Sequence, residues 1–91
     1  MSDPAISVVV PTRNRSADLG RCLDALTAQD IPLESFEVLV CDDGSTEPLD
    51  SVVGERALRG LQVRHLSQSP RGPAAARNLG IRNARAEISS V

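Results

Sequence analysis

Ninety-one residues with a net charge of −2, 41 % hydrophobic and 24 % charged, fit one small globular domain. All ten cations are Arg and the one aromatic residue is Phe36, so neither a general attraction to nucleic acid nor a base-stacking platform is on offer. No apolar run approaches the roughly 20 residues of a membrane span and Met1 to Ala5 lacks a signal peptide's apolar core, so the cytoplasm is the expected location, with any membrane attachment left to other segments.

The chain opens on a β-branched apolar run, Ile6 to Val10, short enough for a strand buried on both faces. Ser16 suits a helix N-cap and Asp18 a first turn. Leu19, Cys22, Leu23 and Leu26 follow at i, i+3, i+4 and i+7, which makes one stripe of that helix apolar. The helix is expected to end near Asp30, because Pro32 disfavours helical geometry in Ile31. Phe36 to Cys41 reads as a second buried strand, and "DDGST" as its exit turn. A short helix is expected over "EPLDSVVGERAL", with Pro48 near its first turn, and a third strand over "LQVRHL". "SQSPRGP" has loop composition, "AAARNLGIRNARA" is helical, and "EISSV" begins a fourth strand. Cys22 and Cys41 form no C-x-x-C pair and have no nearby His, so they read as small buried hydrophobes.

Alternation of the βαβαβαβ type predicts an α/β fold with a parallel sheet and right-handed crossovers. If strands one to three step one way and strand four returns beside strand one, the order is 3-2-1-4. Open α/β sheets hold ligands where the stepping reverses, beyond the carboxyl ends of the strands. Both "PTRNR" and "DDGS" leave strands at that point.

The loop after strand one is not a dinucleotide or P-loop motif, because it lacks the glycines that let a backbone close around a pyrophosphate. Asp42 and Asp43 fit two roles equally: acceptors for a ribose hydroxyl or base N–H, or an Asx turn before Gly44. Arg71 and Gly72 precede a helix whose free N–H groups favour an anion. Asn78 is a poor helix-interior residue beside Arg77, and its presence hints at a hydrogen-bonding task. His65 has no sequence neighbour to form a triad and reads as structural or exposed.

"ISVVVPTRNR", "FEVLVCDDGS" and "RGPAAARNLGI", in this order and spacing, closely resemble the start of glycosyltransferase family 2, from about Ala5 to Val91. The resemblance implies the N-terminal, nucleotide-sugar-binding half of a Rossmann-like GT-A domain, whose parent enzyme moves a sugar with inversion from an NDP-sugar, UDP-sugar above all, to an acceptor hydroxyl. It implies that Pro11, Thr12 and Arg13 pack against the donor base and that Asn14 shapes their loop. One of Asp42 and Asp43 is implied to bond the base or ribose, Arg71 and Gly72 to lie over the nucleotide, and Arg77 and Asn78 to sit near the donor.

The family's D-x-D motif, which holds Mg²⁺ or Mn²⁺ on the donor diphosphate, and its catalytic base do not occur in residues 1–91. The expectation is therefore a fragment truncated before that motif, inactive alone, with no catalytic or metal residue and no metal bound by itself. The competing reading is a stand-alone module that binds a nucleotide, or dimerises, without chemistry. Because one helix must cover a whole sheet face, self-association through the uncovered face is also expected.

Overall fold

A computed structural model describes residues 3–90; Val91, the end of the expected fourth strand, lies outside them. The elements run β1 (Ile6–Thr12), α1 (Ser16–Thr27), a 3₁₀ turn (Leu33–Ser35), β2 (Phe36–Asp43), α2 (Asp50–Leu58), β3 (Val63–Gln68), α3 (Pro73–Asn83) and β4 (Glu87–Ser90). They form the expected α/β fold, one parallel sheet in the order β3-β2-β1-β4.

The sheet separates two packing layers. Val8, Val10, Phe36, Val38 and Val40 meet Leu19 and Leu23 of α1 and Val53 of α2 on one face. Val9, Leu39 and Cys41 meet Ala76 of α3 on the other. Strand alternation produces this split, since successive side chains of a strand point to opposite faces. Cys41 is fully buried, as expected, while Cys22 is half-buried against the larger layer; burial pushes both thiols up. Gly80 lets α3 approach the sheet: a Cβ there would stand 2.6 Å from Val9 Cγ1 and 2.7 Å from Cys41 Sγ.

Several boundaries move. Ser16 is the first helical residue and not the cap; Arg15 holds the cap position without a side-chain bond. The Ser16 N–H instead donates to Glu47 Oε1 at 2.9 Å. Glu47 is thereby held in the β2–α2 loop, and α2 starts at Asp50, three residues later than expected. Helix α1 stops at Thr27, short of Asp30, with Ala28 as its C-cap. Strand β3 runs two residues past Leu66 because the ladder continues through Ser67 and Gln68, opposite Asp42 and Asp43.

Helix α3 stops at Asn83, three residues early, and Ala84 is extended. A buried polar cluster takes over there: the Arg85 N–H donates to Glu37 Oε2 at 2.8 Å, and the Ala86 N–H to Ser7 Oγ at 3.0 Å. The Ser7 hydroxyl in turn donates to Glu37 Oε2 at 2.6 Å. Backbone groups that a longer helix would have satisfied are satisfied by side chains of β1 and β2. Among the described residues no helix is long and apolar enough to cross a membrane.

Candidate functional site

The carboxyl ends of β1 and β2 and the start of α3 border an open cleft of about 470 Å³, lined by Pro11, Thr12, Arg13, Arg15, Asp43, Gly72, Pro73 and Ala76. It lies at the reversal of strand order, between β1 and its neighbours, and its volume is that of a small-molecule site.

Asp42 and Asp43 are adjacent in sequence and belong to different surroundings. In strand register Asp42 follows Val38 and Val40 on the α1–α2 side, whereas Asp43 follows Leu39 and Cys41 on the α3 side. Asp42 Oδ1 accepts the Ser45 N–H at 2.9 Å, closing the Asx turn, and its Oδ2 lies 3.4 Å from His65 Nε2. The other ring nitrogen of His65 lies 3.4 Å from Asp50 Oδ1. Burial works to raise the Asp42 carboxyl, but the Ser45 hydroxyl and N–H and the His65 ring outweigh it and hold it below the usual carboxylate range.

Asp43 lines the cleft and ties the β3–α3 loop to it. Its Oδ1 accepts Gln68 Nε2–H at 3.0 Å and the Arg71 N–H at 2.7 Å; its Oδ2 accepts the Gly72 N–H at 2.9 Å. Gly72 is the N-cap of α3 with φ +99°, a backbone conformation open to glycine and strained for other residues. The Gln68 amide and the Arg71 N–H hold Asp43 below the usual range against burial, helped by the Gly72 N–H and the positive charge of Arg13. The carboxylate stays ionised at neutral pH and keeps negative charge in a cleft that Arg13 and Arg15 also line.

Asn14 is not among the residues that line the cleft. Its backbone is left-handed, φ +51°, which Asn tolerates better than most residues. Its Oδ1 accepts the Thr46 N–H at 2.8 Å and the Thr46 hydroxyl at 3.1 Å, and its N–H donates to Ser45 Oγ at 2.8 Å. The loop carrying Arg13 and Arg15 is thereby latched to the loop after β2.

Of the residues singled out from sequence, Pro11, Thr12, Arg13, Asp43 and Gly72 come together in the cleft. Asn14 and Asp42 hold the loops behind it, and Arg71 takes part through its backbone N–H while its side chain is exposed. Arg77 and Asn78 are exposed on α3 and do not line the cleft. Sequence reasoning missed Arg15, Pro73, Ala76 and Gln68. Arg15 was legible as the second cation of "TRNR"; Gln68 had no signal until β3 was seen to extend opposite Asp43. Among the described residues no three or more His, Cys, Asp or Glu side chains converge as a metal donor set, and the two aspartates diverge across the sheet.

The profile of Glycosyl transferase family 2 matches residues 7–90. A validoxylamine A glucosyltransferase of Streptomyces hygroscopicus subsp. jinggangensis is 45 % identical over 87 residues, covering 93 % of this chain and 20 % of that protein. Among solved structures, Staphylococcus aureus TarS 1–349 in complex with UDP superposes with a TM-score of 0.84 at 32 % identity, over 96 % of this chain and 26 % of that one. A Pyrobaculum calidifontis mannosyltransferase in complex with GDP-Man and Mn²⁺ superposes with a TM-score of 0.78 at 32 % identity, over 92 % and 25 %. The chain thus spans about a fifth to a quarter of the length of these relatives.

Proposed function

The chain belongs to glycosyltransferase family 2, and from that premise we propose that its cleft binds the nucleoside diphosphate part of an NDP-sugar donor. The observation that carries this reading is that Asp43, Arg13 and Arg15 line one cleft beside the start of α3. A carboxylate for a base or ribose donor and two guanidinium groups for phosphate oxygens are complementary to the two ends of a nucleotide.

Asp43 is our choice between the two aspartates, because it lines the cleft whereas Asp42 meets Ser45 and His65 on the opposite face of the sheet. A carboxylate offers about four acceptor directions. Two donors on Oδ1 and one on Oδ2 leave Asp43 a single direction, on Oδ2, among the described residues. Uracil presents one edge donor, N3–H, where guanine presents neighbouring N1–H and N2–H donors. We therefore favour UDP-sugar over GDP-sugar, with Pro11 and Thr12 against the base. The UDP complex of TarS is consistent with that choice, and the GDP-Man complex of the mannosyltransferase marks the competing one.

The parent reaction we propose is attack of an acceptor hydroxyl on the anomeric carbon, with inversion, as the bond to the diphosphate oxygen breaks. A base removes the hydroxyl proton. None of residues 3–90 is given the role of base or metal ligand, and this stretch alone is proposed to be inactive. Mg²⁺ or Mn²⁺ acting on the donor diphosphate, in line with the Mn²⁺ of the mannosyltransferase complex, would be held elsewhere in the parent enzyme. The reading extends to self-association through the sheet face that, among the described residues, α3 covers by itself, and through the outer edge of β4.

Titration calorimetry with UDP, with and without Mn²⁺, tests the reading. Weak UDP binding that changes by less than about tenfold on adding metal is expected. No UDP binding, or a gain of more than about tenfold with Mn²⁺, would contradict it.

A further inference from the structure

Gln68 ends β3 directly opposite Asp43 in the parallel ladder, so the two side chains share the α3 face of the sheet. The Gln68 Nε2–H donates to Asp43 Oδ1, the same oxygen that accepts the Arg71 N–H. Those two bonds use both acceptor directions of Oδ1 and fix rotation of the carboxylate about its terminal bond. The one remaining direction is thereby confined to Oδ2, beside the Gly72 N–H.

Resting on the nucleotide reading above, we propose that Gln68 is a positioning residue for donor recognition: it locks the Asp43 carboxylate so that one oxygen is consumed by the protein and the other is offered to the ligand. The backbone N–H groups of Arg71 and Gly72 cannot do this alone. They bind one oxygen each and so leave the second acceptor direction of Oδ1 open. Gln68, on the strand beside Asp43, fills that direction. Gln68 is also the foremost of the groups that hold the Asp43 carboxyl low, ahead of the Arg71 N–H.

Two variants separate this role from general structural support. Gln68→Met keeps the unbranched stem and removes the donor. Gln68→Glu keeps the shape and replaces the donor with a second carboxylate. NMR titration of the Asp43 side-chain carboxyl should show a higher midpoint in Gln68→Met than in the wild type, and a higher one still in Gln68→Glu, where a like charge is added. UDP affinity, measured on folded protein at neutral pH, should fall at least about threefold in Gln68→Met and further in Gln68→Glu. A midpoint for Asp43 in Gln68→Met equal to the wild type, or unchanged UDP affinity beside a lowered melting temperature, would overturn the proposal. Wild-type protein that ignores UDP would defeat the nucleotide reading instead, and the carboxyl titration would still decide whether Gln68 holds Asp43.

Discussion

Asn14 Oδ1 accepts the Thr46 N–H at 2.8 Å, across 32 residues of sequence, and so joins the loop that ends β1 to the loop that ends β2. The latch uses an oxygen as acceptor and a left-handed backbone at one position. Those two contributions can be separated. Asn14→Gly removes the acceptor and keeps the backbone unstrained; Asn14→Ala removes the acceptor and adds a strain of about 1 kcal/mol. Urea unfolding midpoints should fall in the order wild type, Gly, Ala, with Ala losing about 1–3 kcal/mol in all. Equal losses in the two variants would show that the left-handed backbone costs nothing here.

Gly80 sits where α3 packs tightly on the sheet. Gly80→Ala gains helix propensity of about 1 kcal/mol. It also drives a methyl group to within 2.7 Å of two fully buried side chains, Val9 and Cys41. Overpacking typically costs about 1–3 kcal/mol, and at this proximity it should win. Thermal unfolding should show a lower melting temperature, and a raised one would mean that α3 can lift from the sheet without loss.

Acid should weaken the fold through the two aspartates. Both carboxyls are held below their ordinary range in the folded chain, Asp42 by Ser45 and His65 against its burial and Asp43 by Gln68 and the Arg71 N–H. The unfolded chain, with carboxyls near about 3.9, then binds more protons than the folded one as pH drops. The stabilisation is complete above that value and is lost as pH falls through the lower folded values. Asp43→Asn lacks one of the two contributions, so its urea midpoint should decline less steeply below about pH 4 than that of the wild type. Parallel curves would show that Asp43 contributes nothing to the acid limb.

Self-association is expected at the margin of the sheet. Within the described residues β4 pairs with β1 alone, and Ile88 of β4, on the face of Ser7, remains 38 % exposed. An outer strand of this kind invites pairing with another chain. Sedimentation should show a dimer growing with concentration, weakened by Ile88→Lys. A clean monomer at high-micromolar concentration would count against it.

The sheet order and the location of the cleft were legible because hydrophobic runs, turn residues and crossover handedness each constrain the topology independently. Element ends were less legible. Ser16 looks like a cap until Glu47 reaches it from the next loop, and α3 looks longer until Glu37 and Ser7 take the N–H groups of Arg85 and Ala86. The part Glu37 plays was not legible, because its partners lie 30 and 48 residues away. The pair Asp42–Asp43 could not be divided from sequence, since the division depends on which face of β2 each side chain takes.

If one cleft, bordered by Asp43 and the arginines of the β1 loop, receives the nucleotide, the ligand's footprint is confined to it. Amide and side-chain NMR shifts followed during addition of UDP test it most directly. Changes should concentrate at Thr12, Arg13, Asp43, Gly72 and Ala76 and be abolished by Asp43→Ala. Shifts centred on the α1–α2 face around Asp42 and His65, or a response that survives Asp43→Ala, would contradict it.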